Sequence, residues 1–310
     1  MRLMFSRSRI FLLLLSSFFL TATALAKPIT VTDSLGQHTL ASVPQRAAVL
    51  DWNLLEQVIE LGVTPVTATD VDSYKEWVVK PAIPSSTQNV GTRGEPNLEK
   101  IAALKPDVIL ITKSQKALMP RLKEIAPVLY YTNFSKDVNQ GEVAIQEFKQ
   151  LAHVFGKEEV AKKKLAQMQA HFTQLKAKLQ QHFGQTLPSV VTMRFASTTS
   201  TYIYTKNSMA DYVLHQLGLK QAIELPPSQW GITQKPISSL QHITQGYVLY
   251  ILPFAQEKEL QHSILWRAMP FVRNHHIHSV PSVWSYGGAM SLMFTAEAFT
   301  NSLLEVAPQS

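Results

Sequence analysis

From residue 157 to 183 the chain contains neither Gly nor Pro and is rich in Ala, Lys, Gln and Leu, all strong helix formers. At 1.5 Å per residue this run predicts one helix roughly 40 Å long. Its apolar stripe is weak, and a long helix of that kind often bridges two bodies that have cores of their own. A helix packed inside one domain is the plainer alternative. The flanks decide between them.

On the N-terminal side, residues 29–32 and 38–40 read as the arms of a hairpin around Asp33-Ser-Leu-Gly36. Buried strands follow over 47–50, 66–68, 108–111 and 128–130, with helices over 51–61, 97–104 and 118–125 between them. Residues 72–84, with Tyr74 and Trp77, form a long connection. Helix then runs from about 140, interrupted near Gly156. After Pro188 the alternation restarts, with strands over 189–195, 202–204, 247–252 and 277–280. Helices are expected over 208–217 and 260–269, and a last one reaches about Leu304. Strands alternating with helices at this spacing argue for parallel sheets covered on both faces. The expected architecture is therefore α/β: two α/β lobes, over 27–156 and 186–310, joined by one long rigid helix over 157–185.

The first residues read as an export signal. Arg2, Arg7 and Arg9 precede an apolar core over 10–20, and Ala24-Leu25-Ala26 is a small-x-small cleavage site. The apolar core is shorter than the roughly 20 residues a membrane span needs. A signal peptide over 1–26 and a mature chain from Lys27 are expected. The chain has no cysteine, which excludes a disulfide scaffold and a lipid-anchored cysteine at the cleavage site. Free residence in a periplasm fits that best. Loss of three arginines would lower the formal charge from +7 to about +4, with the basic residues scattered, so a nucleic-acid partner is not expected.

The most informative loop runs from Val90 to Pro96. It holds one cation, Arg93, between Gly91 and Gly94, just before a helix that Asn97 can cap. In open α/β folds such a strand-to-helix edge is where ligands bind. A planar guanidinium suits clustered oxygens, and tryptophans give large apolar contact at small entropic cost. A surface arginine paired with Glu95 is the bland alternative.

Four runs carry a resemblance: Val90-Gly-Thr-Arg-Gly-Glu-Pro-Asn-Leu-Glu99, Leu104-Lys-Pro-Asp107, Leu265-Trp-Arg-Ala-Met-Pro-Phe-Val-Arg273 and Val280-Pro-Ser-Val-Trp-Ser-Tyr-Gly287. They resemble the periplasmic ferric hydroxamate-binding proteins, which deliver ferric siderophores to an inner-membrane ABC permease and its cytoplasmic ATPase. The Leu-Lys-Pro-Asp run marks the wider class, and the two tryptophan-containing runs are more specific to the hydroxamate branch. The resemblance implies a monomer with a shallow interlobe cleft and little hinge closure. It implies ligand-binding roles for Arg93, Trp77, Trp230, Trp284 and Tyr286. Where the family has a pocket tyrosine this chain has Gln115, which can donate but not stack, and it is expected to bind the ligand in that place. Glu99 is the expected transporter-docking acid; the corresponding stretch of the second lobe has Gln241, with Glu224 a weak substitute. The siderophore fills the coordination sphere of its iron(III), so no cofactor and no metal ligand of the protein's own is expected.

Rival cargoes are a catecholate siderophore, haem or cobalamin. Catecholate complexes are strongly anionic and call for several basic residues, so a single convincing arginine favours a nearly neutral cargo. His275-His276-x-His278 raises zinc or manganese binding, but no nearby acid completes a ligand set. An exported hydrolase lacks support, since neither Gly-x-Ser-x-Gly nor His-Glu-x-x-His occurs.

Overall fold

The computed structural model describes residues 27–132 and 134–308; the expected signal peptide lies outside them. The first lobe is a five-stranded sheet, all parallel, in the order Gln88–Asn89, Thr67–Ala68, Ala47–Val49, Val108–Ile111, Val128–Tyr130. Its apolar runs are continuous because both faces are buried. Ala47, Val49, Val108 and Leu110 join one apolar cluster, and Ala48, Leu50, Ile109 and Ile111 join another on the opposite face. The hairpin Ile29–Asp33 with Gly36–Leu40 forms separately, antiparallel. It is tied to the sheet by Asp33, whose Oδ2 accepts from the Tyr130 amide at 2.8 Å.

The second lobe differs from an all-parallel expectation. Its six-stranded sheet is mixed: Ser189–Phe195 pairs antiparallel with Ser200–Tyr204, and that strand pairs antiparallel with Ile232–Pro236. Tyr247–Ile251 and Ile277–Val280 continue on the other side in parallel, and Lys220–Gln221 adds a short parallel pair. The reason is connection length. The few residues between Phe195 and Ser200 allow a hairpin, whereas a parallel crossover needs a dozen or more.

The long helix is Glu158–Phe183, 26 residues, within one residue of the expected start. It buries Ala161, Met168, Phe172, Leu175 and Leu179, a single stripe at helical spacing. That stripe packs on the last helix, Ala289–Leu304, and on the helices Gln140–Val154 and Met209–Leu217. The molecule is two α/β lobes joined by this helix, but the helix is not a bare strut. One apolar cluster runs from Val49 and Leu110 in the first lobe, through Phe172, Leu179 and Phe299, to Val190 and Leu249 in the second.

Three local expectations change. Within the connection expected over 72–84, Val71–Trp77 is a helix. The helix expected over 260–269 is broken at Ser263 into Glu257–His262 and Ile264–Ala268; extended Ser263 starts the second piece and caps it at Trp266 N. The helix expected from Leu118 is preceded by a 3-10 turn over Lys113–Leu118. Among the described residues no helix is long and apolar enough to cross a membrane.

Candidate functional site

All five strands of the first sheet end at one cleft. The residues that follow them, Asp51, Asp70, Arg93, Thr112 and Tyr131, line the same cavity of about 460 Å³. This is the carboxyl edge where helix starts and loop amides gather. The second lobe supplies the facing wall with Trp230, Trp284 and Tyr286. An adjoining cavity of about 560 Å³ shares Asp70, Arg93, Trp284 and Tyr286 and extends to Trp77, Arg194 and Tyr202. Together they make one two-part cleft between the lobes.

Arg93 stands at the junction. Its loop is pinched by a bridge between Gly91 and Pro96. Gly91 is required there: its φ is +100°, and a side-chain carbon would come within 3.0 Å of the Glu95 carbonyl. Arg93 pairs with Asp70, not Glu95: its Nε donates to Asp70 Oδ2 at 3.2 Å and its backbone amide donates to the same oxygen at 2.9 Å. The guanidinium lies 3.7 Å above the ring of Trp52, a stacked cation–π contact. Its terminal nitrogens hydrogen-bond to none of the described residues.

Of the other expected site residues, Trp77 ends its helix beside the second cavity, 5.8 Å from the Arg194 guanidinium. Trp230 is 49% exposed at the mouth, its ring 5.8 Å from Phe134. Trp284 packs 5.1 Å from Trp52 and 5.5 Å from Tyr286, and its buried Nε1 has no partner among the described residues. Tyr286 has its hydroxyl pKa raised by burial, so it stays a neutral donor. Gln115 stands apart. It is fully buried behind the cavity wall, where Nε2 donates to the Arg93 carbonyl at 2.8 Å and Oε1 accepts from the Thr112 amide at 3.1 Å. Glu99 is exposed in the first turn of Leu98–Ala103, outside both cavities. Of the histidines considered for metal, His276 stacks on Tyr247 at 4.5 Å and His278 Nδ1 bonds the Ser279 carbonyl at 2.7 Å.

Sequence reasoning missed Asp51, Trp52, Asp70, Phe134 and Arg194. Arg194 is the one charged residue in the strand Ser189–Phe195, a signal visible in the sequence. It donates to Tyr204 Oη at 3.0 Å, Leu252 O at 3.2 Å and Val283 O at 2.8 Å, so it anchors the segment that carries Trp284. Asp51 follows a buried strand, a second available signal. Burial raises its carboxyl pKa against the opposing pull of Arg93 and of the Thr112 hydroxyl.

Residues 48–283 match the family described as periplasmic binding protein, and the chain belongs to that family. Within it, the chain is 60% identical to the siderophore-binding protein FhuD of Vibrio cholerae, whose crystal structure holds Fe3+–Desferal. That likeness has a TM-score of 0.84 and covers 85% of this chain and 99% of the other. The iron(3+)-hydroxamate-binding protein FhuD of Escherichia coli is 28% identical over 269 residues, 86% of this chain and 89% of that protein. The catecholate-siderophore-binding protein VctP of Vibrio cholerae has a TM-score of 0.68 at 19% identity, a likeness of fold alone.

Proposed function

We propose that this protein captures ferric hydroxamate-type siderophores in the interlobe cleft and hands them to an inner-membrane ABC permease for iron uptake. The observation that carries the reading is Arg93, a guanidinium with its terminal nitrogens unshared, held between two cavities walled by Trp77, Trp230, Trp284 and Tyr286. A ferric trishydroxamate presents a crown of partly negative oxygens on an apolar frame, and donors with indole walls suit both parts. The relatives named for Fe3+–Desferal and iron(3+)-hydroxamate support the same class.

The siderophore brings its own coordination sphere, so iron(III) travels as cargo and not as a cofactor. The protein binds and releases without turning its cargo over, as a monomer in the periplasm after cleavage near Ala26. Gln115 serves the cleft from behind by holding the Arg93 loop. Glu99 on the top of the first lobe meets the permease; normal uptake by a Glu99→Arg strain would remove that role.

The cargo is tested by titrating the mature protein with a ferric hydroxamate while following tryptophan fluorescence. Indoles lining the cleft beside a ferric chromophore should quench in a saturable way. Arg93→Ala should raise Kd roughly ten- to hundredfold, the equivalent of one or two charge-assisted hydrogen bonds. A folded wild-type protein that no ferric hydroxamate quenches would end this reading.

A further inference from the structure

Asp70 is placed in a way that its local structure does not explain. It is the residue before the helix Val71–Trp77, where an aspartate ordinarily caps the first turn. It makes no such cap. Its backbone is in the left-handed region, with φ at +49°, a strain that persists only where the surroundings hold it and that gathers at functional sites. Its amide is fixed by the Gly91 carbonyl at 2.8 Å, which ties the start of this helix to the Arg93 loop. The result is that the carboxylate swings into the cleft. Oδ2 takes both Arg93 hydrogen bonds, Oδ1 accepts none among the described residues, and the residue lines both cavities.

We infer that Asp70 selects the cargo by charge: it admits ferric complexes of zero or positive net charge and rejects strongly anionic ones. This rests on the reading that the cleft takes a ferric siderophore. Three cations line the two cavities, Arg93, Lys113 and Arg194. Asp70 faces Arg93 at 3.2 Å and offsets its charge while leaving its terminal N–H groups free. A neutral oxygen crown loses nothing by this, because it is held by hydrogen bonds. A trianionic complex would bring its excess charge against a half-buried carboxylate where screening is weak. Arg194 keeps its charge but has its donors committed to three neutral protein oxygens, and Lys113 is exposed where solvent screens it, so neither offers a trianion what an unpaired Arg93 would. The free Oδ1 is also a place for an ammonium tail on a cationic siderophore.

The test compares two probes, a neutral ferric trishydroxamate and a trianionic ferric tricatecholate, on wild type, Asp70→Asn and Asp70→Glu. Asn keeps an oxygen acceptor for both Arg93 donors and removes the charge. The ratio of the tricatecholate Kd to the trishydroxamate Kd should fall at least tenfold in Asp70→Asn and stay within about threefold of wild type in Asp70→Glu. The gained affinity for the trianion should weaken with added salt. Equal changes in both affinities would reduce Asp70 to a positioning role and overturn the selection. So would a wild-type protein that already binds both probes alike. Failure of the hydroxamate reading looks different: wild type would not bind the neutral probe, whatever the variant ratio does.

Discussion

Gln115 shows how a single residue can serve a site that it does not touch. Its amide joins three groups, the Arg93 carbonyl, the Thr112 amide and the Thr112 hydroxyl, in a fully buried position. The Thr112 hydroxyl continues to Asp51 at 3.0 Å, so one polar chain runs beneath the cleft floor. Truncating Gln115 to Ala would orphan a buried N–H and a buried C=O, at about 1–3 kcal/mol each before relaxation. Gln115→Ala should lower the thermal midpoint and weaken ligand binding several-fold, while the final extent of tryptophan quenching stays near wild type. Quenching that fails to saturate at any ligand level would instead make Gln115 a direct contact. The residues of this network were only partly legible in the sequence. Arg93 announced itself by its flanking glycines, but Asp70 and Trp52 reach it from other strand ends, and no local pattern reports a partner of that kind. The neighbouring Glu95 was the nearest acid in sequence and is not the partner in space.

The helix Trp52–Glu60 ties the first lobe to two other helices through its polar residues. It was expected from its apolar periodicity, and Asp51 caps it through the Asn53 amide. What the periodicity did not convey is that its polar residues are buried too: Asn53, Glu56 and Gln57 are each about 1% exposed. Asn53 and Gln57 donate to Glu147 on the helix Gln140–Val154. Glu56 reaches across to the last helix, accepting from the Gly288 amide and from Ser291 Oγ at 2.8 Å. The last helix has Gly288 at its N-cap and no side-chain cap of its own, so a carboxyl from the first lobe takes that place. Gly287 and Gly288 permit the approach, since a side-chain carbon on either would lie within 2.6 Å of helix Trp52–Glu60 atoms. Burial pushes the Glu56 pKa from 4.5 up to about 8, with Glu60 and Glu147 adding to the rise. A folded-state pKa above the unfolded one means that the native state binds the extra proton between those values. Glu56 therefore favours folding most at or below pH 4.5, and its contribution is lost as pH climbs from there through about 8, above which it stays level. Melting profiles from pH 5 to 9 should show wild type losing on the order of a few kcal/mol across this window, and Glu56→Gln should flatten the slope. An identical slope in the variant would assign the pH dependence to another group. Shorter elements escaped the sequence reading for a plain reason: Val71–Trp77 spans seven residues and lacks a side-chain cap, too little for a periodic pattern to emerge.

Across the whole molecule the two lobes share their largest apolar cluster, and that governs how the cleft behaves. The Gly- and Pro-free run made the long helix legible, and the alternation on either side made the lobes legible. The sequence could not display the last helix lying along the long one, because that contact joins segments more than a hundred residues apart. With Phe172 1% exposed and Phe299 fully buried in the same cluster as Val49 and Leu249, neither lobe can lose its helical layer without exposing the core of the other. Lys164 on the long helix also pairs with Glu60 of the first lobe. A cluster shared in this way resists a wide hinge, since packed cores switch between discrete arrangements and do not bend continuously. Denaturant unfolding should accordingly be one transition, with the first-lobe tryptophans Trp52 and Trp77 and the second-lobe Trp230, Trp266 and Trp284 released together. Phe172→Ala removes a ring from the shared layer, at a cost of about 3–5 kcal/mol. It should move the midpoint of that single transition without splitting it. Single-tryptophan variants in each lobe read the two halves separately, and two midpoints in the Phe172→Ala background would mean that each lobe stands on a core of its own.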